Sequence, residues 1–482
     1  MAVLEGLEPK KVFYYFEELC KIPHGTFHTK EISDYCASFA RERGLEVFQD
    51  EADNVVIKKS GTVGYEDAEP VILQGHLDMV CEKRPGSSHD FDTQGLDLYI
   101  EDGYVKAKDT TLGGDNGIAV AMIMAILDSK DIAHPPIEAV FTSEEEAGMS
   151  GALALDFSLL KSRKLINIDS EEEGILTVSC AGGYRFNAKI PIEKTIKSGV
   201  PAIIRIHGLM GGHSGADIHK QRGNANKMMA RLLNHIRREI NFNLVEICGG
   251  TLDNVIPLEA TAIVLIAEND CQRVKEIINE MAAVWMTEFM GEEPGLSVDV
   301  SFNELTEQEV CTDESTVRVI TYLYTSPDGV QAYDRKLPGL VETSLNLGIV
   351  ETKDTYIRAG HLVRSSVESK KQELKERMGA IAASANAECE SGNEYPAWSY
   401  KEDSKLRTIM VDTYKSLFNK EPEVSSIHAG LECGLFVGKC PDLDCVSFGP
   451  NLWDVHSFNE RLDIASTERT YEYLKEILRR CK

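Results

Sequence analysis

Apolar residues recur along this chain with two different periods, and the switch between them marks its organisation. Near the amino terminus, VFYYFEELCKI carries an apolar stripe at helical spacing. HTKEISDYCASFARERG repeats it until Gly44, which predicts two amphipathic helices joined by a short loop. Short apolar runs follow: VILQG from Val71, IEAVFTS from Ile137, KLINID from Lys164 and CVSFGP from Cys445. Between the first two, GIAVAMIMAILDS is apolar all round and reads as a buried helix. Strands alternating with helices predict an α/β fold with a mostly parallel sheet and helices on its faces.

After about Ser179 the pattern changes. FNAKIPIEK and AIIRIHGL alternate apolar and polar positions, as half-exposed strands do, and further such runs are separated by the helical stretches NKMMARLLNHIRREI and VESKKQELKERMGAIAASANA. Segments 185–270 and 296–385 read as two copies of one unit, an internal duplication of antiparallel strands covered by helices. SGNEYPAWSYKED reads as the loop that closes this region, after which RTIMVDTYKSLF resumes the earlier style. The expected organisation is one α/β domain built from 1–184 and 390–482, interrupted by an α+β insert over 185–389. At 482 residues, two domains are also the better expectation from length.

A formal net charge of −27, with no basic arm to offset it, argues against nucleic acid and anionic membrane surfaces as partners. The best apolar run, IAVAMIMAIL, is too short to span a bilayer, and the amino terminus lacks the pattern of a secretory signal. The twelve cysteines form no close CxxC pair, which favours free thiols and a cytoplasmic location.

Acids and imidazoles collect just after the strand-like runs: His76 and Asp78 after VILQG, Glu144–Glu146 after IEAVFTS, Asp169 at the end of KLINID, and His456 shortly beyond CVSFGP. Open parallel sheets gather ligands beyond the carboxyl ends of their strands, so these separated segments are expected to meet at one edge. Asp115, in GGDNG before the buried helix, joins them; Asp115 or Asn116 can also simply cap that helix. Residues two apart in an extended segment face one side, so Asp78 can reach and orient His76. Three glutamates directly after an apolar strand are costly unless something positive lies beside them. In such a turn Glu146 can bind a metal while Glu145 takes a proton from water. Two imidazoles and three carboxylates, with no thiolate, suit zinc, with cobalt or manganese as substitutes. Other reaction classes lack their marks, since there is no phosphate-binding GxxxxGK[ST] loop, dinucleotide fingerprint or GxSxG elbow.

HLD at 76–78, GGDNG at 113–117, SEEEAG at 143–148, NIDS with Asp169, GGHSG at 211–215, DNVIP at 253–257 and HSFNE from His456 resemble, in that order, the cocatalytic-zinc aminoacylase/carboxypeptidase (M20) superfamily of peptidases. HGTFHTKEISDYCASFA, LQGHLDMVCEK and HAGLECGLF look like its aminoacyl-histidine dipeptidase branch. The resemblance implies two Zn2+ per chain: His76 and Asp169 on one ion, Glu146 and His456 on the other, and Asp115 bridging. It implies Glu145 as general base, Asp78 as the orienter of His76, His213 as a contact for the substrate or its developing oxyanion, and Asn254 and Arg364 near the substrate carboxylate. It further implies an inserted domain that acts as a lid and mediates a homodimer. The expected reaction is hydrolysis of small peptides, preferentially Xaa-His dipeptides including β-alanyl-histidine, by a hydroxide held between the ions. The alternatives are the same chemistry on tripeptides, carboxy-terminal residues or N-acyl amino acids, and a non-catalytic metal-binding or scaffold relative.

Overall fold

The computed structural model describes residues 2–336 and 339–482. The chain forms two compact units: Met1–Cys180 with Trp398–Ser426 and Leu431–Lys482, and Ala181–Ala397 with Ile427–Gly430.

The first unit holds an eight-stranded sheet in the order Glu46–Gln49, Val55–Lys59, Ile137–Thr142, Val71–His76, Lys164–Asn167, Asp444–Ser447, Ile175–Cys180, Glu423–Ile427. Its centre is parallel: Val71–His76 pairs in parallel with Ile137–Thr142 on one side and Lys164–Asn167 on the other, and Asp444–Ser447 continues the set. Antiparallel strands lie outside these four. Three of the four central strands are buried along their whole length and Lys164–Asn167 in all but its first residue, as expected for a parallel sheet covered on both faces. The helix Gly114–Asp128, whose residues Gly117–Leu127 are all buried, packs on the Val71–His76 strand and against the helix Lys10–Cys20. Because the four central strands run the same way, the segments that follow them all leave from one edge.

The second unit is built on a ten-stranded antiparallel sheet. One half contains, in chain order, Lys194–His207, the helix Ala225–Ile236, Phe242–Gly249, Ala260–Ile266, the helix Cys271–Glu288 and Ser297–Phe302. Its strands lie in the spatial order fourth, first, third, second. The other half repeats that order with Gly182–Pro191, Val341–Thr352, Tyr356–Ser365 and Glu388–Tyr395. The halves meet where Cys248 and Gly249 pair with Glu351 and Val350. The equivalent pieces therefore differ from the 185–270 and 296–385 read from the chain. One copy interrupts the other, whose first strand precedes it.

Both expected boundaries shift for the same reason. SGNEYP is not a closing loop: Glu388–Tyr395 forms a strand on Gly182–Pro191, which carries the second unit from residue 181 to residue 397. All but the last residue of Glu388–Tyr395 is exposed. An edge strand without a buried face shows no alternation for a sequence reader to see.

Candidate metal centre

Five of the predicted residues come together at the carboxyl edge of the parallel strands. His76 ends its strand, Glu146 lies in the turn after Ile137–Thr142, and Asp169 follows Lys164–Asn167. His456 lies in the loop between Leu452–Trp453 and Arg461–Asp463. Asp115 opens the buried helix, with φ −84° and ψ 104° outside the helical range.

Asp115 is the hub. Its Oδ1 lies 3.1 Å from His76 Nε2, and its Oδ2 lies 3.3 Å from His456 Nε2. Asp169 Oδ1 is 3.5 Å from the same His76 nitrogen, and Glu146 Oε1 is 2.9 Å from the His456 nitrogen. One carboxylate thus faces two imidazoles, and each imidazole has a second carboxylate of its own. Donors around a tetrahedral ion with bonds near 2.1 Å stand about 3.4 Å apart, so the spacings fit two such shells sharing Asp115. His76, Asp115 and Glu146 also present ligand atoms all within 4.8 Å of one another. The donor set is oxygen and imidazole nitrogen only, suited to zinc, cobalt or manganese.

The charges of the cluster act on one another. Asp115 and Glu146 push the His456 imidazole up to about 11. At His76, burial opposes protonation, but Asp169 and Asp115 outweigh it and hold the imidazole well above its ordinary range. Burial pulls Asp115 up, yet the two imidazoles prevail and keep its carboxyl low, while burial raises Asp169 to about 6.

The supports are partly those expected. His76 Nδ1 is 3.0 Å from the backbone oxygen of Asp78 and 3.4 Å from its carboxylate. Since a carbonyl only accepts, Nδ1 carries the proton and Nε2 is left free to ligate. The Asp78 carboxylate has a further role, accepting the N–H groups of Glu145 at 2.9 Å and Glu146 at 3.2 Å and the Thr26 hydroxyl at 3.0 Å. It anchors the glutamate turn. That turn separates its acids: Glu146 contacts His456, Glu144 accepts the Phe27 N–H at 2.8 Å, and burial raises the Glu145 carboxyl well above the usual range.

Two supports escaped the sequence reading. Glu460 is buried and accepts four backbone N–H groups, those of Leu112, Gly113, Gly114 and Asp115. Asn116 does not cap its helix: its Oδ1 accepts the His76 N–H at 3.1 Å, and its Nδ2 donates to Ile168 O at 2.6 Å. That approach requires Gly75, where a Cβ would lie 2.5 Å from Asn116 Oδ1. The HSFNE motif contained Glu460, but backbone partners leave no side-chain signature to read.

His213, Asn254 and Arg364 belong to the second unit. His213 Nδ1 accepts the Ala216 N–H at 3.0 Å, so the proton resides on Nε2, available as a donor. Burial, then the neighbouring Arg364 guanidinium, lowers its pKa. Arg364 is buried and donates from Nη1 to the Tyr395 hydroxyl at 3.0 Å, while its Nε has no partner among the described residues. Asn254 accepts the Ser214 N–H at 2.8 Å through its backbone oxygen.

Known proteins resemble this chain over its whole length. Residues 204–291 match the peptidase dimerisation domain of the M20 family. The chain is 36% identical over 481 residues to the cytosol non-specific dipeptidase of Escherichia coli strain K12, covering 99% of both proteins. The crystal structure of aminoacylhistidine dipeptidase from Vibrio alginolyticus superposes with a TM-score of 0.92 at 36% identity, covering 98% of this chain and 97% of that one. Aminopeptidase PepT from Bacillus cereus shares the fold at a TM-score of 0.57 and 17% identity, covering 98% and 99%.

Proposed function

Because this chain belongs to the M20 family of metallopeptidases and is a dipeptidase, we propose that its carboxylate–imidazole cluster holds two zinc ions and that its preferred substrates are Xaa-His dipeptides, β-alanyl-histidine among them. The observation that carries the two-ion reading is Asp115, whose two oxygens face separate imidazoles. His76 and Asp169 would hold one ion and Glu146 and His456 the other, with Asp115 between. Bound there, the ions would polarise a peptide carbonyl and acidify a water at neutral pH.

The chain's own groups supply the proton transfers. Glu145 sits in the same turn as Glu146 without contacting either imidazole, and burial favours its neutral form. Ionised beside bound cations, its carboxylate would take a proton from the attacking water and return it to the leaving amine. Asp78 holds that turn and the His76 tautomer together. His213, with its Nε2 proton, is assigned to the oxygen that gains charge as the carbonyl is attacked, and Arg364 and Asn254 to the substrate carboxylate. The match to a dimerisation domain supports a homodimer formed through the second unit. The name of the Escherichia coli relative supports a cytosolic location.

That same name supports a broader reading, in which many dipeptides are cleaved. One experiment separates the possibilities. Zinc-loaded protein is offered β-alanyl-histidine, other Xaa-His dipeptides, dipeptides without histidine, tripeptides and N-acetyl amino acids, and its metal content is measured. Two ions per chain and fastest turnover on Xaa-His are expected. Equal rates on all dipeptides would remove the histidine preference, and one ion or none would remove the two-metal reading.

A further inference from the structure

Three strands of the first unit lead into residues of the cluster, and each carries a polar side chain at or near its end. Gln74 lies two residues before His76, Asn167 two before Asp169, and Thr142 four before Glu146. All three are buried, so each must find a hydrogen-bond partner inside the protein. Asn167 Nδ2 donates to Gln74 Oε1 at 2.5 Å. Gln74 Nε2 donates to Thr142 Oγ1 at 3.1 Å and to Glu432 Oε2 at 2.5 Å. Thr142 Oγ1 in turn donates to Glu432 Oε2 at 2.7 Å.

Glu432 comes from late in the chain, as the first residue of the helix Glu432–Lys439. An acid at a helix amino end is favourable in itself, and on a surface that would suffice to explain it. This one has no exposure at all, and its Oε2 is committed to two different strands. Its Oε1 and the Asn167 Oδ1 have no partner among the described residues. Burial pushes the carboxyl up to about 8.

Building on the two-metal reading, we infer that Glu432 is a positioning residue. Through Gln74, Thr142 and Asn167 it ties together the strands that lead to His76, the glutamate turn and Asp169, and so fixes the spacing of the donors that Asp115 spans. It touches neither metal nor substrate.

Glutamine keeps the shape of the side chain and an oxygen that can accept the same two hydrogen bonds; alanine cuts the network. Full-length Glu432→Gln and Glu432→Ala are loaded with Co2+ or Zn2+, and metal affinity, the visible cobalt spectrum, kcat and KM are measured. Glu432→Gln should stay within about threefold of wild type in affinity and kcat, whereas Glu432→Ala should lose about 10- to 100-fold in both. The alanine variant should also show an altered cobalt spectrum and a nearly unchanged KM. A folded Glu432→Ala protein with wild-type affinity and spectrum would overturn the inference, as would a glutamine variant as impaired as the alanine one. Should Glu432→Ala not fold, Thr142→Val removes the tie between Glu432 and the strand that leads to the glutamate turn, and unchanged metal affinity there is equally fatal. If wild type itself takes up no second ion, the two-metal reading fails instead. The affinity comparison for whatever ion does bind still tests Glu432 separately.

Discussion

The two cluster histidines of the first unit and the buried histidines of the second titrate in opposite directions. In the first unit His76 and His456 each face two cluster carboxylates, which raise both imidazoles well above their ordinary range. In the second, burial lowers His361 and His428 to about 3, helped by Lys227 at His361 and by Arg364 at His428. His213 is lowered as well, by burial and Arg364. Neighbours thus decide what an imidazole is for. Surrounded by buried carboxylates it marks a place that demands positive charge, which protons fill only by blocking the nitrogens a metal needs. Kept neutral beside arginine, it remains a hydrogen-bond donor or a packed ring.

The comparison is broken most severely through Glu145, an acid of the first unit that does not touch the imidazoles. Glu145→Gln keeps the turn and removes the base. Turnover of a dipeptide should fall by about 10³- to 10⁴-fold, while metal analysis still finds the wild-type content. Loss of metal together with activity would make Glu145 a ligand, and near-normal turnover would remove it from the chemistry.

A smaller effect is expected from the second unit. His213→Ala removes an N–H donor and no proposed ligand, so kcat should fall by about 10²- to 10³-fold with metal content and cobalt spectrum unchanged. A drop in bound metal would contradict the division of labour between the units. A change confined to KM would move His213 from the developing charge to ground-state binding.

Much of the first unit was legible in the chain because parallel strands concentrate their signal. VILQG, IEAVFTS, KLINID and CVSFGP are short, mostly apolar runs, and acids and imidazoles just past a buried strand end are conspicuous. What stayed hidden has no such contrast. Glu460 works on backbone N–H groups, Asn116 on one N–H and one carbonyl, and Glu432 on neutral side chains inside the sheet. In the second unit Glu388–Tyr395 hides because it is exposed. The true extent of the repeat hides because Gly182–Pro191 and the strand it pairs with, Tyr356–Ser365, are separated by an entire copy of the same arrangement. Local pattern reports burial of a segment, not which distant segment shares its sheet.

The finest test concerns His361, where the contrast is purest. This ring is buried between Phe186 and Tyr322, near Lys227, with neither nitrogen partnered among the described residues. Its pKa is about 3 in the folded protein against about 6.5 when unfolded. Above 6.5 neither state binds the proton, and the side chain adds no pH dependence. Below 6.5 the unfolded chain takes up a proton that the folded chain refuses, so stability is lost as pH falls, until about pH 3 where the folded form also protonates. At pH 5 that loss is about 2 kcal/mol relative to pH 7. His361→Leu fills similar space and cannot titrate. Denaturant unfolding of the two metal-loaded proteins at both pH values should therefore show the variant losing about 2 kcal/mol less on acidification. Because the metal-centre imidazoles titrate identically in both proteins, their contribution cancels in the difference. Equal acid sensitivity would mean that His361 meets a proton acceptor or water when folded, and that the second unit's interior is less hostile to charge than its neutral imidazoles suggest.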